Sequence, residues 1–200
     1  MMRISKQVIV SFILLIIIAS LYRVMPGRQG LYGFAPQIAM AVFGGAIIKD
    51  KILAFLLPLL SMFISDVLYE ILYRNGIGNI KGFYEGQLTN YILFAAMTVF
   101  GFFIKKLKVS SILFASLAAP TTFFILSNFF VWLSSSPDAG LNRPKTFKGL
   151  LMCYNDGLPF FYPWSIVSTM LFSAILFGSY YLFFRNSLAA SNSNTALIIH

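Results

Sequence analysis

The chain has 200 residues, of which 58% are hydrophobic, 17% aromatic and only 10% charged, and its mean hydropathy is +0.81. A soluble domain carries about 25% charged residues, so this composition excludes an ordinary soluble protein and predicts an integral membrane protein. A single cysteine, Cys153, excludes an internal disulfide framework and multi-cysteine metal or redox motifs. The net charge of +9 comes from basic residues scattered between apolar runs, which predicts topology signals and no nucleic-acid partner.

Six apolar segments approach the roughly 20 residues that a helix needs to cross the lipid bilayer. The first follows Arg3 and Lys6 as a signal peptide would, but the absence of an A-x-A-like cleavage site favours a spanning helix. The second is short and has Gly44-Gly45 near its end, so a re-entrant segment is its main competitor. The six segments are residues 7–22, 34–48, 52–73, 89–104, 109–134 and 158–184.

The predicted fold class is all-α, a polytopic membrane bundle of about six transmembrane helices. A single transmembrane domain covers residues 1–185, and residues 186–200 form a flexible polar tail. The tightest basic turns are Lys49-Asp50-Lys51 and the lysines of residues 105–108. Because the positive-inside rule acts through charges close to helix ends in short loops, these turns and both termini are predicted to be cytoplasmic.

With that orientation, most strongly polar residues inside the spans lie in the outer half of the bundle. Asp66 lies about 22 Å along the third span, which starts near Lys51. Asp66, Tyr69 and Glu70 share one helical face, because they have the spacing i, i+3, i+4. A carboxylate inside a span normally faces a bundle interior or an aqueous cavity, so Asp66 is a candidate ligand-binding residue. The alternative is a structural ion pair of Asp66 or Glu70 with Arg23, Arg28 or Arg74.

The connection before the sixth span combines turn formers with aromatic residues. Asn155-Asp156-Gly157 and the prolines 159 and 163 predict a re-entrant turn or a lid over an outer cavity, with a passive plug as the alternative. The aromatic residues of the outer half also fit an interfacial belt. The predicted small-solute site comprises Asp66, Tyr69, Glu70, Asn90, Tyr91, Asn128, Trp132, Tyr154, Asn155, Asp156 and Trp164.

Catalytic motifs are absent from the sequence. It has no P-loop and no dinucleotide fingerprint, and its only histidine is His200 near the end of the chain. Ser-His-Asp and Cys-His chemistry are therefore disfavoured, and no enzyme activity and no cofactor are predicted. Cys153 has no histidine nearby to complete a soft-metal site, so no metal is assigned either.

Two stretches carry a resemblance to a known family. The run Phe34-Ala35-Pro36-Gln37 through Ala46, followed by Pro58 through Asp66, resembles a family of uncharacterised bacterial membrane proteins. Residues 157–161 and 171–178 extend this similarity over most of the chain. The resemblance implies a multi-pass protein of the bacterial inner membrane.

That family looks distantly similar in architecture to the substrate-binding S components of energy-coupling-factor vitamin transporters, which are six-helix proteins with cytoplasmic termini. The likeness implies a protein that binds a small solute, a vitamin or metabolite, and acts in its uptake. The first helix lacks the Ala-x-x-x-Ala surface that S components use to join a shared energising module, which favours a solitary transporter or a subunit of another complex. The alternative function is that of an accessory or structural subunit, whose partners are other membrane proteins.

Overall fold

The computed structural model describes the backbone of residues 6–28, 33–105, 107–134 and 143–196, and the side chains of residues 13–25, 33–105, 107–134 and 143–182. Over these ranges the secondary structure is helical and contains no strand, which confirms the all-α prediction. The helices are α1 (Lys6–Arg28), α2 (Gln37–Ile47), α3 (Lys51–Arg74), α4 (Gln87–Phe102), α5 (Val109–Ser134), α6 (Phe147–Phe160) and α7 (Ile166–Ala196), with a π-helical turn at Phe161–Ser165.

Three helical stretches are long and apolar enough to cross a membrane: Lys51–Arg74, Val109–Ser134 and Phe147–Leu182. The third includes α6, the π-helical turn and the first part of α7. The shorter apolar helices Ile13–Met25, Gln37–Ile47 and Gln87–Phe102 complete the hydrophobic part of the described chain. The first five predicted spans therefore correspond to helices α1 to α5.

Helix α6 corrects the sequence prediction, which assigned residues 135–157 to an outer connection. Residues 147–157 are helical. The helix begins where the Thr146 hydroxyl accepts a hydrogen bond from the Gly149 amide at 3.2 Å, an N-terminal cap. A Cβ on Gly149 would lie 1.9 Å from the Pro144 carbonyl oxygen, so only glycine allows this tight entry. Capping and close contact with residue 144 outweigh the turn preference of Asn155-Asp156-Gly157.

The predicted lid over residues 154–164 is likewise helical up to Phe160. The helical path breaks at Tyr162, whose backbone angles (φ −112°, ψ 128°) are extended and precede a cis bond to Pro163. Pro58 and Pro120, in contrast, lie inside the uninterrupted helices α3 and α5.

The backbone of α7 is helical to Ala196, within the segment where a polar tail is predicted from residue 186. Residues 186–196 contain neither glycine nor proline to stop a helix. Residues 1–5, which include Arg3, residues 135–142 of the predicted connection and residues 197–200 of the predicted tail lie outside the described ranges.

Helix α2 is the centre of the bundle, although it is the shortest helix. Every residue from Gln37 to Val42 is buried, and α3, α4, α5 and α7 all pack on it. Its 11 residues span only about 17 Å, roughly half of a bilayer's hydrocarbon core. Because the surrounding helices are longer, the bundle has space beyond the N-terminal end of α2.

The C-terminal half of α2 is held against α4 by two glycines. A Cβ on Gly45 would lie 2.2 Å from the Thr98 carbonyl oxygen, and one on Gly101 would lie 2.2 Å from the Val42 carbonyl oxygen. Small residues let helix backbones approach this closely inside membranes. Gly45, whose pairing with Gly44 in the sequence suggested a break, is therefore a packing residue, and the close approach of Gly45 and Gly101 is called the glycine contact below.

Candidate functional site

A cavity of about 420 Å³ occupies the space beyond the N-terminal end of α2. It lies at the end of the bundle where α1, α3 and α5 finish, here called the cavity end, opposite the lysine turns. Gly33, Phe34, Ala35 and Ile38 form its floor, and the α3–α4 connection contributes residues 80, 81 and 84. Six phenylalanines provide most of the apolar wall: Phe34, Phe94, Phe123, Phe124, Phe160 and Phe161.

Rings from different helices contact one another along this wall. Phe124 of α5 and Phe161 after α6 are stacked, with centroids 4.5 Å apart and planes inclined by 13°. Phe34 meets the edge of Trp164 at 6.2 Å, and Tyr154 contacts Phe124 at 5.7 Å. Tyr154 and Trp164 therefore support the wall from behind and do not line the cavity.

An ion pair between Arg23 of α1 and Asp66 of α3 forms one charged part of the wall, and Lys81 is a further charged residue in the lining. Asp66 is 2% exposed. Its Oδ1 accepts from Arg23, and its Oδ2 accepts from the Gln87 side-chain amide at 2.6 Å and the Tyr91 hydroxyl at 2.7 Å. Three helices, α1, α3 and α4, thus meet at one carboxylate, and both of its oxygens are satisfied, as a buried charge requires.

Arg23 is held in place by contacts around its whole length. Its Nη1 also donates to the Ser65 hydroxyl at 2.6 Å, and its guanidinium lies over the Tyr69 ring, 5.5 Å from the centroid. The Tyr69 hydroxyl donates to the backbone carbonyl of Arg23 at 2.8 Å. Arg23, Asp66 and Tyr69 all line the cavity.

Three of the predicted site residues, Asp66, Tyr69 and Asn128, lie in the cavity wall. The structure supports both interpretations of Asp66, because the residue lines the cavity and also forms the ion pair with Arg23. Asn128 comes close to α6 at Gly157, where a Cβ would lie 2.2 Å from the Asn128 Oδ1.

Glu70, Asn90 and Tyr91 lie behind the wall. Glu70 accepts from Arg74 at 2.7 Å and from the Gly82 amide at 3.2 Å, so it fastens the α3–α4 connection to α3. Asn90 donates to the hydroxyl of Tyr84 at 2.6 Å, and Tyr84 lines the cavity. Tyr91 donates a hydrogen bond to Asp66 and does not itself line the cavity.

The remaining predicted residues fasten α6 and its entry segment. Asp156 forms a two-point pair with Arg143, at 2.7 and 2.9 Å, and Asn155 lies beside them in a separate shallow depression. The Trp132 indole donates to the Pro144 carbonyl at 2.9 Å, and Lys145 donates back to the Trp132 carbonyl. Cys153 is 4% exposed, and its Sγ lies 3.4 Å from the Asn128 carbonyl oxygen.

Four of the polar or charged residues that sequence reasoning missed in the wall, or in direct support of it, are Arg23, Lys81, Tyr84 and Gln87. Arg23 was considered only as a structural partner, although a basic residue near the end of α1 is at the right depth to face Asp66. Lys81 and Tyr84 lie in a connection whose path no periodicity predicts. Gln87, 7% exposed, binds Asp66 from the first turn of α4.

Comparison with known proteins gives a family and no characterised relative. The comparison with curated proteins and the comparison with solved structures each found no match. A family model described as a family of unknown function (DUF6580) matches residues 3–191. Since this match covers nearly the whole sequence, the chain belongs to that family of unknown function.

Proposed function

We propose that this protein is a six-span membrane protein of the bacterial inner membrane that binds a small solute, a vitamin or metabolite, and acts in its uptake. The observation that carries the proposal is the cavity of about 420 Å³ at one end of the bundle. Small-molecule sites are typically clefts of about 300–1,000 Å³ with a mainly apolar lining and a few placed polar groups. This lining has that composition, and the proposed role is binding and transport without catalysis.

The orientation is part of the proposal and rests on the lysine turns. The cavity end is opposite the connections that contain Lys49, Lys51, Lys105 and Lys108. If these turns and both termini are cytoplasmic, the cavity opens toward the outer face, as uptake requires. An S-component-like role is the finer form of the proposal, and it rests on helix number and chain length alone.

Reporter fusions test the orientation. Fusions after Lys108 and after Arg185 should both report a cytoplasmic location, and a fusion at Arg143 should report an external one. A cytoplasmic report at Arg143 would contradict an outward-facing cavity.

Native mass spectrometry of the protein, released from detergent micelles, tests whether a small solute is bound. The proposal predicts a co-purified small molecule that dissociates on activation. Stoichiometric protein partners without any small-molecule adduct would instead support the accessory-subunit alternative.

A further inference from the structure

We infer that the solute of this cavity carries a single carboxylate on a flat apolar body, and that Arg23 and Lys81 bind the carboxylate. This inference rests on the function proposed above and concerns the same cavity. It starts from the three charged residues of the lining, which are Arg23, Asp66 and Lys81.

Asp66 is not available to a cationic solute. Both of its oxygens already accept hydrogen bonds, from Arg23 on one side and from Gln87 and Tyr91 on the other. With 2% of its surface exposed, it has no free face. A cation would have to displace Arg23 from a buried ion pair, so Asp66 acts as a positioning residue for Arg23.

The ion pair with Asp66 orients Arg23 but does not use all of its hydrogen-bond donors. Both of its side-chain hydrogen bonds come from Nη1, to Ser65 and to Asp66, and within the described part of the chain Nε and Nη2 donate none. These two groups form one edge of the planar guanidinium, the edge that binds a carboxylate through two parallel hydrogen bonds.

Lys81 adds a second positive charge from the α3–α4 connection. Within the described ranges it forms no ion pair, and its ammonium lies over the Tyr73 ring, 5.6 Å from the centroid. The next residue, Gly82, is so close to α3 that a Cβ would lie 1.9 Å from the Asp66 carbonyl oxygen. The backbone next to Lys81 is therefore anchored on α3 at Asp66, and the Lys81 side chain lines the same cavity as Arg23.

The N-terminus of helix α2 also favours an anion in the cavity. Ala35 and Ile38 line the cavity at its start, and no side chain caps its N-terminus. The unpaired amides at a helix N-terminus carry a partial positive charge, which favours an anion nearby.

The charges of the lining sum to +1, because Arg23 and Asp66 cancel and Lys81 remains. A monoanion brings the net charge of the occupied site to zero, whereas a neutral solute leaves it at +1 and a dianion at −1. The phenylalanine wall, with the Phe124–Phe161 stack along one side, suits a flat apolar body.

Matched acid and amide probes test the inference, measured by equilibrium dialysis against the purified full-length protein. Suitable pairs are indole-3-acetate with indole-3-acetamide and 2-naphthoate with 2-naphthamide, with phenyl phosphate as the dianionic probe. We expect each acid to bind about tenfold or more tightly than its amide, since a charge-assisted bond is stronger than a neutral one.

Two variants test which residues cause the preference for the acid over the amide. Arg23→Gln should abolish it, but this change leaves Asp66 buried without its cation and endangers folding. Lys81→Gln removes an exposed side chain without an ion pair, so it should keep the fold and reduce the preference several-fold. Lys108→Gln is the matched control, because Lys108 is an exposed lysine at the opposite end of the bundle, forms no ion pair within the described ranges and should leave acid binding unchanged.

The outcomes separate the inference from the proposed function. Equal binding of acid and amide would overturn the assignment of a carboxylate to the solute, and so would a preference that survives Lys81→Gln and Arg23→Gln in folded protein. Either result would leave the proposed solute pocket in place. Tighter binding of phenyl phosphate than of the acids would overturn the assignment of a single negative charge to the solute. Binding of no probe from either pair would overturn the inference, and a co-purified small molecule in native mass spectrometry would then still uphold the proposed function.

Discussion

The two ends of this bundle use opposite ways of packing helices. At the glycine contact, the α2 and α4 backbones approach so closely that Gly45 and Gly101 leave no room for a Cβ. At the cavity end, α2 stops short, and large rings and an ion pair surround a space of about 420 Å³. Close packing leaves no cavity and a cavity lacks the contacts of close packing, so we assign stability to the glycine contact and the proposed solute binding to the cavity end.

The largest effect is expected at the glycine contact. Gly101→Ala would put a methyl group 2.2 Å from the Val42 carbonyl oxygen and 2.7 Å from the Ala46 amide nitrogen, both of which are backbone atoms. Overpacking of this kind typically costs about 1–3 kcal/mol of unfolding free energy. Thermal unfolding in detergent should show a marked loss of stability.

Gly178→Ala in α7 is the matched control, since a Cβ there would meet nothing within 4 Å. It should keep or raise stability, because alanine favours a helix by about 1 kcal/mol over glycine. Equal behaviour of the two variants would contradict the assignment of stability to the glycine contact.

Asp66→Asn should lower both stability and solute binding. The change leaves Arg23 without its counter-charge, and breaking a buried ion pair costs about 3–5 kcal/mol, less here because the Arg23 side chain is 21% exposed. The double variant Arg23→Gln with Asp66→Asn removes both charges and should recover part of the stability without recovering binding. Thermal unfolding and acid-probe dialysis on the same samples check both expectations.

Glu70→Gln is the control for this pair, because Glu70 lies one turn from Asp66, is paired with Arg74 and does not line the cavity. It should have little effect on binding, because the glutamine oxygen can still accept from the Gly82 amide and hold the α3–α4 connection on α3. Full binding in Asp66→Asn with reduced stability would show that the ion pair is structural only.

A smaller effect is expected at the break between α6 and α7. In a Cys153→Ser background, labelling of Phe160→Cys by a membrane-impermeant maleimide should slow several-fold when a bound acid probe is present, because Phe160 lines the cavity. Phe147→Cys, 76% exposed in the native side chain and in the same helix, should label at an unchanged rate. Equal protection at both positions, or none at Phe160→Cys, would contradict binding of the acid probe beside Phe160.

Much of the fold follows from hydropathy. Apolar length predicted helices α1 to α5, since a run of nonpolar residues in a membrane must satisfy its own backbone. Helix α6 was missed because Asn155-Asp156-Gly157 has the composition of a turn. Besides the local cap at Thr146, contacts with more distant residues hold this part of the helix: Asp156 with Arg143, and Gly157 with Asn128. The local sequence does not contain those partners.

Site residues that share one face of a single helix could be predicted from the sequence. Residues that come together only through the packing of several helices were missed. Helical spacing put Asp66 and Tyr69 on one face, and both line the cavity. Spacing cannot tell what lies opposite each turn of that face, so Glu70, one turn further along, meets Arg74 and Gly82 instead. Arg23 and Lys81 enter the wall only through the packing of α1 and the α3–α4 connection on α3.

The most direct test of the solute cavity is to fill it. Ser127 lines the cavity, and Ser127→Trp would place an indole inside it, far from the glycine contact. Native mass spectrometry of wild type, Ser127→Trp and the control Ser127→Ala should show a small-molecule adduct on wild type and Ser127→Ala and none on Ser127→Trp, with thermal stability retained. An adduct of equal occupancy on all three proteins would contradict binding in this cavity.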